Sequence, residues 1–105
     1  MDTWKAEPCR KHEWERRFRA APVPIVTKGV AFIVATYANG TGTSARPSVE
    51  LVMENSGLGE RAVREHLSAL RASGWLMLTA PGVGGRGQRP RAATYRLSFP
   101  AEVTS

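Results

Sequence analysis

Ser48–Gly74, SVELVMENSGLGERAVREHLSALRASG, carries the clearest local signals of the chain. It predicts two helices joined by a tight turn. Proline at a first helical turn loses only an amide that has no partner there, and a serine beside it can cap the next free ones, so the first helix opens near Pro47-Ser48. Val49, Val52 and Met53 fall on one face. Asn55-Ser56-Gly57 supplies the corner, because asparagine and serine bond nearby backbone and glycine tolerates the positive φ that a sharp turn needs. Leu58 plugs that corner. From Gly59 a longer helix carries Val63, Leu67 and Leu70 as an apolar stripe with His66 beside it, and Gly74 suits the left-handed position that ends a helix.

The other face of this second helix is polar: Glu60, Arg61, Arg64, Glu65, Ser68 and Arg71. Residues 61, 64, 65 and 68 line up over two turns, so two guanidinium groups can point one way. Arginine has a planar fork that gives two hydrogen bonds to one guanine edge in the major groove, or a good contact to a phosphate. The same residues also form i,i+4 pairs of opposite charge, Glu60 with Arg64 and Arg61 with Glu65, as an ordinary solvated helix face does.

Around that stretch the chain has the bulk of one domain. It has 105 residues, a 42% hydrophobic fraction and a net charge of +6, which suits a single modest core and an anionic partner. The charge is uneven: residues 1–21 hold six bases and four acids, 22–80 five and four, and 81–105 four and one. The single cysteine, Cys9, excludes an internal disulfide and a cysteine-rich zinc site, and fits a reducing cytoplasm. No apolar run has the length of a membrane helix and the charged start lacks the apolar part of a secretory signal, so a soluble, cytoplasmic protein is expected.

Upstream, WKAEPCRKHEWERRFRAA (residues 4–21) sets Trp4, Trp14 and Phe18 among basic residues, with Trp14 and Phe18 one helical step apart. A short helix from about Arg10 to Ala20 is predicted, packing its aromatics on the domain, dimerising, or lying along phosphates. Pro22 and Pro24 then break the chain, Thr27 is placed to cap a helix from Lys28 to about Ala38, and the apolar GVAFIVATYA is expected to be its buried centre. TGTSAR (residues 41–46) reads as a polar loop, whose Thr41, Thr43, Ser44 and Arg46, with Ser48, can donate to a phosphate near the next helix.

Downstream, Trp75–Thr79 and Ala93–Phe99 are strand candidates, the latter alternating Tyr95, Leu97 and Phe99 with Thr94, Arg96 and Ser98. Between them PGVGGRGQRPR (residues 81–91) holds four glycines and three arginines. It is no phosphate-binding P-loop, because no Lys-Ser or Lys-Thr closes it and a strand, not a helix, follows. It reads as the tip of a hairpin, where Arg86, Gln88, Arg89 and Arg91 supply contacts to phosphates or a narrow minor groove. The expected class is mainly α with a β-hairpin and one preceding N-terminal helix.

Over Ala35–Phe99 the chain resembles the winged helix-turn-helix domains of bacterial, phage and plasmid DNA-binding proteins, most specifically in Gly57–Leu76, GLGERAVREHLSALRASGWL. The resemblance implies an N-terminal segment 1–21 and a winged domain 22–105. It also implies that the helix around residues 59–73 enters the major groove and the wing reaches flanking backbone or minor groove. Gly59 stands where the family often has a capping serine or threonine, and Ala62 where threonine is common. His66 is expected to be structural. The function expected is that of a small transcriptional regulator binding double-stranded DNA. The DNA-binding part of a phage or plasmid replication or maintenance system, and a winged domain that binds protein through Trp4, Trp14 and Phe18, are the alternatives. A homodimer through the N-terminal segment is among the expected partners. No metal, cofactor, small-molecule ligand or catalytic cluster is expected, since two distant histidines, one cysteine and scattered acids form no recognisable site.

Overall fold

The computed structural model describes residues 6–82 and 92–100. In chain order the elements are β1 (Ala6–Pro8), α1 (Lys11–Arg19), α2 (Ile25–Thr36), α3 (Val49–Ser56), α4 (Glu60–Ser73), β2 (Leu76–Ala80) and β3 (Thr94–Pro100). The result is a mixed α and β domain with β2 and β3 as an antiparallel hairpin. The sheet order is β1-β3-β2, so β3 is central.

The pair α3 and α4 forms as its local chemistry dictates. The Ser48 side chain accepts from the Leu51 N–H at 3.0 Å, capping α3, and Gly57 at φ 77° closes it with its N–H on the Met53 carbonyl. Gly59 starts α4 without a side-chain cap. At the other end Gly74, φ 91°, turns the chain so that the Trp75 N–H returns to the Leu70 carbonyl. Val52 from α3 and Val63, Leu67 and Leu70 from α4 are buried together in the core.

The N-terminal helix is part of the same core. Trp14 and Phe18 are both wholly buried, stacked with centroids 4.6 Å apart, and Phe18 meets Phe32 and Trp75 edge-on at 5.3 Å and 4.9 Å. The Trp14 indole N–H donates to the Trp75 carbonyl at 3.0 Å. Lys28 closes the far end of α1, its ammonium donating to the carbonyls of Arg19 and Ala21. Of the roles expected for this segment, Trp14 and Phe18 therefore serve packing; they form no surface for a partner. Trp4 lies outside the described residues.

Four expectations are corrected. Helix α2 begins at Ile25, behind Pro24, so Thr27 is inside it and buried. Its hydroxyl is 2.9 Å from His66 Nδ1 instead of capping the helix. Nor is α2 buried all round: Ile25 is 78% and Val26 47% exposed, and Gly29 and Thr36 also face out. Its apolar composition reflects more than its burial. The polar loop before α3 is partly a sheet edge, because buried Ala45 exchanges both backbone hydrogen bonds with Tyr95, at 2.9 Å and 2.7 Å. Ser98, expected on the wet side of β3, is buried, its hydroxyl donating to the Gly74 carbonyl at 2.6 Å. The central place of β3, with β1 and Ala45 along one edge and β2 along the other, explains the last two differences.

Candidate functional site

The outward side of α4 is set by its inward side. With Val63, Leu67 and Leu70 held in the core, the helical period turns Glu60, Arg61, Arg64, Glu65, Ser68 and Arg71 to solvent, and all six are exposed. The Arg61 side chain is 93% exposed. Glu60, Arg61, Arg64, Glu65 and Ser68 border one shallow open groove. Helix α1 packs against β3 and α2 and leaves this side of α4 open.

Both ion pairs expected from the spacing form on this face. Arg64 Nε lies 2.9 Å from Glu60 Oε2, and Arg61 Nε lies 3.3 Å from Glu65 Oε2. The pairs run in opposite senses along the helix. Glu60 is N-terminal to Arg64, the orientation that also suits the helix dipole, whereas Glu65 follows Arg61. The shorter contact is the one with the better orientation.

Tyr95 lies within the sheet and feels the charge of this face. It is buried on β3, opposite Leu78 of β2 and paired on its other edge with Ala45. Burial pushes its hydroxyl above the ordinary pKa of 10.0, while the positive charges of Arg71 and then Arg64 oppose that rise. Tyr95 thus joins β2 to Ala45 by backbone pairing on its two edges, and the positive charge of α4 is felt at its hydroxyl. Nothing in the sequence marked Tyr95 for this place, since alternation reads it as core alone.

The loop residues expected to donate to phosphate are arranged unequally. Ser44 and Arg46 are exposed on either side of Ala45, and Ser44 adopts φ 64°, rare for a residue with a side chain. Thr41 and Thr43 are tied down within the loop. Asn39 Oδ1 accepts their backbone N–H groups at 3.2 Å and 3.1 Å and their hydroxyls at 2.6 Å and 2.9 Å. Thr43 is therefore a loop-shaping residue in this arrangement, and Asn39, just past the end of α2, organises the turn. Ser48 has its oxygen engaged in capping α3. The tip residues Arg86, Gln88, Arg89 and Arg91 lie outside the described residues.

Other chemistry has little to build on among the described residues. No group of three or more His, Cys, Asp or Glu is placed to hold a metal, and no helix is long and apolar enough to cross a membrane. Cys9 is buried, and its thiol is pushed up to about 12 by desolvation. His66 is occupied by Thr27 on the inner side of α4. No protein-family model, curated protein or solved structure matches the chain.

Proposed function

We propose that this chain is a DNA-binding protein of the winged helix-turn-helix type, acting as a small transcriptional regulator. In this reading α4 enters the major groove with Arg61, Arg64, Glu65 and Ser68 toward the bases. Arg71, Ser44 and Arg46 sit at the flanks for phosphates, and the 81–91 segment is the wing, its Arg86, Gln88, Arg89 and Arg91 reaching backbone or minor groove.

The observation that carries the reading is the exposed row on α4. It sits on a helix anchored by a buried stripe, with two guanidinium groups outward. The net charge of +6 agrees with a polyanionic partner. The alternative that binds protein through Trp4, Trp14 and Phe18 loses two of its three residues, because Trp14 and Phe18 are inside the core.

Selection from a pool of random duplexes, followed by titration at several salt concentrations, tests the proposal. The reading expects enrichment of a defined sequence and an affinity that falls steeply with salt as counterions are released. Retention of no duplex, or retention that ignores salt, overturns it. Arg61→Ala or Arg64→Ala is expected to weaken the selected duplex by about 1–3 kcal/mol and relax preference at one base, whereas Arg86→Ala or Arg89→Ala weakens all sequences alike.

A further inference from the structure

The row on α4 is not simply basic: Arg61 and Arg64 are each held by a carboxylate one turn away. That geometry has directional consequences for Arg64. Its Nε is the atom engaged, 2.9 Å from Glu60 Oε2, so the edge of the guanidinium containing Nε is occupied by an anion. The two terminal nitrogens remain to make hydrogen bonds. A fork presented end-on in this way matches the O6 and N7 acceptors of guanine. A phosphate approaching the occupied edge meets the negative charge of Glu60, while the uncharged base edge does not.

Resting on the DNA-binding reading, we propose that Glu60 is a specificity-determining positioning residue: it holds Arg64 Nε so that the terminal fork addresses a base edge, and it repels phosphate from the same arginine. Arg61 differs. Its contact to Glu65 is longer, 3.3 Å, its side chain is 93% exposed, and the order of the pair along the helix is the less favourable one. Glu65 constrains its partner less than Glu60 does, which leaves Arg61 able to move to a phosphate.

The pair is well suited to a functional test because it contributes little to folding. Both Glu60 and Arg64 are about 60% exposed, 61% and 62%, and exposed ion pairs of this kind are weak. Glu60→Gln keeps the shape of the side chain and removes its charge. The wild type, E60Q, R64Q and the double variant are titrated against a selected duplex and a scrambled duplex of equal length, across a range of salt, with thermal melts as a check on folding.

For E60Q the expected result is tighter binding to the scrambled duplex and a loss of about 3- to 10-fold in the ratio of the two affinities, as one bidentate base contact becomes less exclusive. The salt slope on the scrambled duplex steepens by about 0.9, the increment for one added phosphate contact. In the R64Q background E60Q has no effect on the ratio, because the carboxylate acts through Arg64. E65Q changes the ratio less than E60Q. A purely structural helix pair would move the melting temperature and leave the ratio alone. An unchanged ratio in E60Q, or a changed one that persists without Arg64, overturns this proposal while leaving DNA binding intact. A wild type that prefers no duplex sinks the DNA-binding reading and this proposal with it.

Discussion

His66 Nδ1 and Thr27 Oγ1 lie 2.9 Å apart across 39 residues of chain, tying the inner side of α4 to α2. The contact holds the helix from behind the face that is exposed to solvent. Thr27 is buried, so removing its hydroxyl strands a ring nitrogen at a packed interface. Thr27→Val is expected to lower stability by about 1–2 kcal/mol in urea unfolding. Adding His66→Leu should return part of the loss, because two apolar partners leave nothing unsatisfied. A double variant as unstable as the sum of the singles would show that the pair is not what holds these helices.

Gly42 makes a second, purely steric prediction. It lies at φ 82°, is buried, and a Cβ there would collide with the Cys9 carbonyl oxygen. Its own carbonyl accepts the Leu97 N–H at 2.7 Å, and the Cys9 N–H donates to the Leu97 carbonyl at 3.3 Å, so moving either strand of backbone disturbs the edge of β3. Gly42→Ala should cost more than about 1 kcal/mol, above the usual range for a surface loop substitution. Gly40→Ala, with open space around the added carbon, is the control and should be far milder in the same unfolding measurement.

The N-terminal helix should be indispensable to folding. Trp14→Ala removes a wholly buried indole and its hydrogen bond to Trp75, and is expected to cost about 3–5 kcal/mol. Near-wild-type stability in denaturant unfolding, accompanied by a change in sedimentation, would instead assign Trp14 to an interface between copies.

Much of this arrangement was legible in the sequence, and the misses have physical causes. The α3–α4 pair was readable because Ser48, Gly57 and Gly74 each act locally, by capping or by positive φ, whatever the rest of the chain does. The start of α2 was misplaced because Thr27 resembles a cap, and only the distant His66 reveals where its hydroxyl is used. Strand β1 has three residues and the Ala45 pairing only one, too short for any periodic signal. The exposed row on α4 was visible as spacing. Which nitrogen of Arg61 and of Arg64 is held needed three dimensions.

Cys9 should behave as an unreactive thiol. Desolvation is the main reason that its pKa rises to about 12 from 9.0; the charges of Arg96 and Arg17 pull it down and that of Glu13 pushes it up. The folded chain therefore keeps its proton where the unfolded chain loses it. This contribution to stability is full below about pH 9 and is lost as pH climbs toward about 12. At pH 8 alkylation of the folded protein should be roughly tenfold or more slower than that of the urea-unfolded chain. Equal rates would place Cys9 at the surface.

Backbone amide chemical-shift mapping, with the isotopically labelled chain titrated with the duplex obtained by selection, reads out which side of the domain meets DNA. The largest shifts are expected on Glu60, Arg61, Arg64, Glu65 and Ser68, with Ser44 and Arg46 next, while the α1 residues Trp14 and Phe18 stay still. Shifts concentrated on α1 or on the outer side of α2, with the α4 row unmoved, would contradict the placement of α4 against the duplex.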